Sequence, residues 1–326
     1  MKRIIILTLA LCMFACAAGA KEPKKASNGT VVETISDKTI PLDTGLLYDA
    51  DIPLETEIEL KKETDTYKQY YVKYVSVNDQ VVPALYLVPK GDGPFPAMLY
   101  MGGKGGKKED MLVNADFLCG HGIAVLAPEP QYHGERKREN RRINSGHVFT
   151  TVRAIRQTIL DFRRGLDFLE TREEINQDAI LYIGGSMGGI LGAVICGVDK
   201  RIDACVLTVA GGTWTMMSEK NPLDPDAAEL NEFRRANNLT WNDMQKFFDP
   251  VDPVNYIAEI SPRPLLMVNG KNDIIVPLRA SKNLYNHAKE PKEIWWLDHG
   301  HFLPYEDILN DIVDWYRKNV PTMGKQ

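Results

Sequence analysis

The sequence predicts an α/β fold: a mostly parallel central sheet flanked by helices, with a helical cap inserted late in the chain. Three observations carry this reading. From Pro96 onward, short apolar runs alternate with stretches of helical periodicity, which is the pattern of βαβ units. A glycine-rich hexapeptide, Gly184 to Gly189, separates one such run from an apolar helical stretch. About fifty residues lie between the run ending at Val209 and the one beginning at Leu265, where a compact α/β domain normally needs only a few.

In chain order, Lys2 and Arg3 precede an apolar run, Ile4 to Cys16, broken only by Thr8 and followed by the small residues Ala18, Gly19 and Ala20. This makes residues 1–20 an export signal. The run is shorter than the about 20 apolar residues a membrane-spanning helix needs. Met13-Phe14-Ala15-Cys16 resembles a bacterial lipobox, so two readings stay open. Either Cys16 is lipidated and tethers the protein to a membrane, or it is one more residue of a cleaved signal. Residues 21–50 read as a polar tether and N-terminal segment, and residues 51–326 as the main domain, with the cap over about 213–255.

The chain carries 39 basic and 44 acidic side chains, a net charge of −5, and removal of residues 1–20 with Lys2 and Arg3 takes it to −7. An acidic body of this kind excludes nucleic acid as a primary partner. Beyond residue 20 the cysteines are Cys119, Cys196 and Cys205, each in an apolar segment. Their spacing supports neither a disulfide framework nor a zinc site, and they read as small core residues.

Tyr67 to Val77 and Val81 to Val88 are rich in aromatic and β-branched residues, with Asn78-Asp79 as the turn of a hairpin. Six further strands are expected at Ala97 to Met101, Ile123 to Ala127, Ala179 to Ile183, Ala204 to Val209, Leu265 to Val268 and Glu293 to Leu297. Val152, Ile155, Ile159, Phe162, Leu166 and Leu169 make the apolar stripe of a helix whose other face is charged. A last helix carries Tyr305, Ile308, Leu309, Ile312, Val313 and Tyr316 on its buried stripe. Asp307 and Asp311 stand early in it, Arg317 and Lys318 late, in the sense the helix dipole favours, and Pro321 ends it. Leu230, Phe233, Leu239, Trp241, Met244, Phe247 and Phe248 give the inserted segment helical character.

The chemistry gathers at strand ends. Ser186 lies between glycines where a strand meets a helix, a junction at which a sharp turn presents a hydroxyl above the carboxyl edge of the sheet. The helix that follows points its first N–H groups at the same place, where they favour a developing oxyanion. A serine hydroxyl needs a base to take its proton and a third group to hold that base in one tautomer. Asp273 follows the strand at Leu265, and His301 follows the strand at Glu293. The order Ser186, Asp273, His301 is the order of the nucleophile-elbow hydrolases.

With these residues the chain resembles the α/β-hydrolase superfamily, and within it the dienelactone hydrolases, acetyl xylan esterases and prolyl-oligopeptidase-like serine hydrolases. The resemblance runs from about Val81 to Val320. It covers Gly93-Pro94-Phe95-Pro96, the elbow, Pro262-Arg263-Pro264-Leu265-Leu266, the Asp273 loop with Val276-Pro277, and Gly300-His301. It implies Ser186 as nucleophile, His301 as general base and acid, and Asp273 as orienting carboxylate. It also implies an oxyanion hole from the N–H of Met187 and one of Gly103 or Gly102, in a segment where Met101 replaces the family's usual leading histidine. The activity so implied is that of a carboxylesterase, with carbohydrate acyl esters among its substrates. A peptidase of the prolyl-oligopeptidase kind and a non-catalytic glycan- or protein-binding module are the alternatives.

His299 is the rival of His301, and Asp298 of Asp273. On the rim, Tyr132 and His133 read either as substrate contacts or as residues that tie down a long loop. Trp214 reads either as a pocket wall or as cap core. The basic run Arg136-Lys137-Arg138 with Arg141 and Arg142 reads either as an attractor of anionic substrate or as a solvated loop. No metal-ligand spacing, dinucleotide fingerprint or phosphate loop occurs, so no cofactor and no metal are expected.

Overall fold

A computed structural model describes residues 32–35, 38–41, 44–219 and 225–324. The expected export signal, with Cys16, lies outside the described residues. A small antiparallel pair, β1 (Val32–Ile35) and β2 (Lys38–Pro41), stands apart from the main sheet.

The main sheet has nine strands, β3 (Glu57–Glu63), β4 (Tyr67–Ser76), β5 (Gln80–Pro89), β6 (Phe95–Met101), β7 (Ala124–Pro128), β8 (Ile175–Gly185), β9 (Ala204–Thr208), β10 (Leu265–Gly270) and β11 (Lys292–Leu297). Their spatial order is β11-β10-β9-β8-β6-β7-β5-β4-β3. The six strands from β11 to β7 run parallel, and β5, β4 and β3 continue the sheet antiparallel. Thus all eight expected strands form. Asn78 and Asp79 turn the β4–β5 hairpin at φ 60° and 52°, a region these two side chains tolerate.

The ninth strand, β3, escapes a sequence reading for a physical reason. All seven of its residues are exposed, and its apolar alternation stops at two residues, Ile58 and Leu60, among charged ones. It is an edge strand, and its charged residues protect that edge from pairing with another chain.

Helices α1 (Ala115–Gly120) and α8 (Tyr305–Asn319) cover one face, and α2 (Val148–Glu170), α3 (Met187–Val198) and α7 (Leu278–His287) cover the other. Between β9 and β10 come three more helices, α4 (Trp214–Ser218), α5 (Pro225–Ala236) and α6 (Trp241–Phe248). Leu230, Met244 and Phe248 join this insertion to the core on the α2 side. The Cys119 and Cys196 thiols are pushed up by burial, Cys119 to about 12, which suits inert core residues.

Helix α2 forms with the expected apolar stripe and charged face, and much of that charged face is covered. Asp161, Arg163, Arg164 and Asp167 are buried, while Arg153 and Glu170 stay exposed. Residues 46–52, partly within the stretch read as tether, lie over it. Arg163 donates to the Leu46 carbonyl at 2.5 Å, Arg164 donates to the carbonyls of Ala50 and Ile52 at 3.3 and 2.5 Å, and the Tyr48 hydroxyl donates to Asp167 at 2.8 Å. Burial alone would raise the Asp199 carboxyl, but Arg201 and Arg163 outweigh it and hold it at about 2. Such ions tolerate burial only with their partners complete, since deleting one partner of a buried pair costs about 3–5 kcal/mol. The apolar stripe alone does not distinguish a helix with one solvated face from this one.

Candidate active site

Strand β6 has β7 on one side and β8 on the other, so the chain reverses its direction of winding there. In an open α/β sheet the crevice at such a switch point, beyond the carboxyl ends of the strands, is where ligands bind. The loops after β6 and β8 meet at this place, because Met101 pairs with Gly184 at the strand ends.

Ser186 caps α3 with φ 54° and ψ −114°, a conformation that costs about 1–3 kcal/mol and persists only where neighbours over-determine it. They do so here. Ser186 N–H donates to the Thr208 carbonyl at 2.9 Å, and its own carbonyl accepts from Ile190 N–H at 2.9 Å. A Cβ on Gly184 would lie 2.4 Å from the Gly188 carbonyl oxygen, and one on Gly188 only 2.0 Å from the Met101 carbonyl oxygen. The glycines on either side of the turn are therefore a requirement of backbone contact.

His301 bridges the other two side chains. Its Nδ1 is 2.8 Å from Asp273 Oδ2 and its Nε2 is 3.0 Å from Ser186 Oγ. The second oxygen of Asp273 accepts from the N–H groups of Ile275 and Val276 at 2.8 and 2.9 Å, which fixes the carboxylate plane. With Oδ2 accepting, Nδ1 carries the proton and Nε2 keeps a lone pair directed at the serine hydroxyl. The rivals stand outside: His299 and Asp298 are both exposed, and Asp298 accepts from the Asn272 side chain at 3.0 Å. Asn272 was not anticipated. By also donating its N–H to the His299 carbonyl at 2.9 Å, it fastens the Asp273 loop to the His301 loop.

Met187 is the first residue of α3, where N–H groups have no partner inside the helix. Gly188 N–H donates to the Gly102 carbonyl at 3.1 Å and ties the two loops together. A Cβ on Gly103 would lie 3.6 Å from Ser186 Cβ, so Gly103 adjoins the serine, whereas one on Gly102 would face Tyr100.

For each rim residue the structure shows which groups surround it. His133 is buried, and both ring nitrogens are engaged by backbone groups: Gly105 N–H at 3.0 Å and the Gln131 carbonyl at 2.9 Å. Tyr132 is partly buried at φ 63° and packs against the core. The Trp214 ring stacks on Phe248 at 5.4 Å, and its backbone N–H donates to buried Asp252 at 2.6 Å, which places it in the core of the insertion. Two members of the basic run are neutralised by partners. Arg136 pairs with buried Asp161 at 2.7 Å, and Arg142 grips both oxygens of Glu229 at 2.7 and 2.8 Å. No local pattern predicts these pairs, since their partners lie on other helices.

An open groove of about 490 Å³ runs between β11 and α8, lined by Trp295, Leu297, Ile308 and Trp315; it borders none of Ser186, Asp273 and His301.

Comparison with known proteins decides the family, because the acetyl xylan esterase (AXE1) profile matches residues 47–315. The chain belongs to the acetyl xylan esterase family. That is a family of carboxylic ester hydrolases, and the nine-stranded sheet with its flanking helices is the α/β-hydrolase fold. The acetyl esterase Axe7A of Xylanibacter ruminicola is 24% identical over 246 residues, covering 72% of this chain and 55% of that protein. The acetyl xylan esterase of Paenibacillus sp. R4 superposes with a TM-score of 0.70 at 22% identity, over 82% of this chain and 89% of that one. For acetyl xylan esterase 1 of Thermoanaerobacterium sp. JW/SL YS485 the TM-score is 0.72 at 17% identity, over 84% and 92%. These superpositions carry the fold. The chain spans about half the length of several curated relatives it matches.

Proposed function

We propose that this acetyl xylan esterase family member is a serine carboxylesterase, acting on acyl esters of carbohydrates through an acyl-enzyme. The observation that carries the reading is the single imidazole of His301, spanning Asp273 and Ser186 at 2.8 and 3.0 Å. In the proposed reaction Ser186 Oγ attacks the ester carbonyl carbon as His301 Nε2 takes its proton. The carbonyl electrons move to the oxygen, which accepts hydrogen bonds from the N–H groups of Met187 and Gly103. As the intermediate collapses, the C–O bond to the alcohol breaks and His301 returns the proton to the leaving oxygen. Water then repeats the sequence on the acyl-serine. Asp273 stabilises the imidazolium in both halves. The helical insertion serves as a cap over this site.

Family membership supports an ester as substrate, and the names of the relatives support an acetyl group. A panel of acetyl, longer acyl and aromatic acyl esters on sugar and simple alcohols tests this. Acetylated sugars are expected to have the highest kcat/KM, and a preference for long acyl chains or for amides would sink the reading.

The proposal includes export and a lipid on Cys16, on the strength of the lipobox-like Met13 to Cys16. Among the described residues no helix is long and apolar enough to cross a membrane. In a bacterial host the full chain is expected in the membrane fraction and the Cys16→Ser variant outside it. Equal distribution of the two would leave ordinary signal cleavage as the better account.

A further inference from the structure

We propose that His133 is a positioning residue: its Nε2 anchors the Gly103–Gly106 turn so that the Gly103 N–H faces the oxyanion formed on Ser186. The inference rests on the reading of Ser186 as nucleophile. It assigns His133 a role in transition-state stabilisation without any contact with substrate.

The turn closes through the Gly106 N–H, which donates to the Gly103 carbonyl at 3.1 Å. Gly105, its third residue, has φ 82°, as a type II turn demands at that position. Two backbone groups fasten the segment to the rest of the molecule, beside the Lys104 ammonium, which pairs with Asp226 at 2.5 Å. On one side of Gly103, the Gly102 carbonyl accepts from Gly188 N–H at 3.1 Å. On the other, Gly105 N–H donates to His133 Nε2 at 3.0 Å. Gly103 is held between them, beside Ser186.

The imidazole is built into this place. Accepting at Nε2 requires the neutral ring with its proton on Nδ1, and Nδ1 donates that proton to the Gln131 carbonyl at 2.9 Å. Burial pushes the His133 imidazole below its usual range and favours the neutral form; the Gln131 bond and Glu129 act upward, and Lys137 and Arg136 act downward. The backbone on both sides is closely constrained, by a left-handed tyrosine before the ring and a glycine with no room for a side chain after it. Tyr132 has φ 63°, and Gly134 has φ 43° at a point where a Cβ would lie 2.0 Å from Glu129 Oε2. Glu129 is itself fully buried and accepts from the Lys108 N–H and ammonium, both at 3.1 Å. Strain at Tyr132 and close packing at Gly134, braced by a buried ion pair, hold that ring in one orientation. Behind the turn, a void of about 10 Å³ bordered by Gly102, Gly103 and Gly106 has room for about one water.

The test uses the full chain with two variants of similar volume. His133→Leu fills the buried site without an acceptor, and His133→Gln brings Oε1 to it. Each is compared with wild type in kcat, KM, Tm and affinity for a trifluoromethyl ketone. Ser186 Oγ adds to that ketone carbon, its proton passes to His301, and the carbonyl electrons become an oxyanion. Removing an oxyanion donor outright costs about 10²–10³-fold in kcat, and a displaced donor costs less. The Leu variant is therefore expected to lose about 10–100-fold in kcat with KM within about 3-fold, and to weaken ketone binding by the same factor as kcat. The Gln variant is expected to recover most of both.

Wild-type kcat in the Leu variant overturns the inference, as does lost kcat with undiminished ketone affinity. Should the Leu variant not fold, Gln decides: a 100-fold loss of kcat at unchanged Tm overturns the proposal, and kcat within about 5-fold of wild type supports it. A wild-type chain that takes up neither the ketone nor a fluorophosphonate at Ser186 overturns the nucleophile reading together with this one. A reactive wild type with an indifferent Leu variant overturns this one alone.

Discussion

Replacing Ser186 by alanine is expected to lower kcat on a short-chain acyl ester by about 10⁴–10⁶-fold while Tm stays within a few degrees of wild type. The size of the effect follows from what the hydroxyl does. Without Oγ no acyl-enzyme forms, and His301 can at best activate a water with no fixed position. What survives is ester binding and the oxyanion donors, which alone account for about 10³–10⁴-fold over the uncatalysed reaction in comparable triads. The fold is expected to survive because Oγ has one hydrogen bond to lose, to His301, while the elbow is held by backbone bonds to Thr208 and Ile190. Alanine occupies the same φ of 54° at no added steric cost. The variant is also expected to lose labelling by a fluorophosphonate. Undiminished turnover would place the nucleophile elsewhere.

Asp273→Asn is expected to lower kcat by about 10⁴-fold with little change in KM. The hydrogen bonds dictate the direction. Asp273 Oδ1 accepts from two N–H groups, Ile275 and Val276, and only the amide oxygen of asparagine can take that place. The amide NH₂ then faces His301 Nδ1, which has to accept. The ring proton moves to Nε2, where it points at Ser186, and the base has no lone pair for the serine proton. The charge that stabilises the imidazolium is lost as well. Steady-state kinetics beside Asp298→Asn checks this: Asp298 is exposed and bonded to Asn272, so its amide is expected to change kcat less than about 10-fold. Equal losses in the two variants would mean that Asp298 shares in holding the imidazole.

Residue patterning made the fold legible wherever burial is one-sided or complete. The buried strands β5 to β10 announce themselves as apolar runs, and the junction at Ser186 as glycines around one hydroxyl. Strand β3 was not legible, because its seven exposed residues include only two apolar ones, Ile58 and Leu60, too short an alternation to stand out. The buried charged face of α2 was not legible either, because what covers it comes from residues 46–52, more than a hundred positions away. The same limit explains the rim. His133 and Trp214 are residue types that serve substrate binding and packing equally well, and only the groups around them decide.

The sequence by itself determined eight strands of the main sheet, the helices with a clear apolar stripe and the three strand-end loops that carry Ser186, Asp273 and His301, since these depend on local periodicity and on glycines that the chain cannot replace. The tertiary structure alone set the His301 imidazole between Asp273 and Ser186, brought Gly103 beside Ser186, and turned His133 inward to a backbone N–H. Those choices rest on distances of about 3 Å between residues far apart in the chain, and such distances exist only once the sheet register and the packing of loop on loop are set.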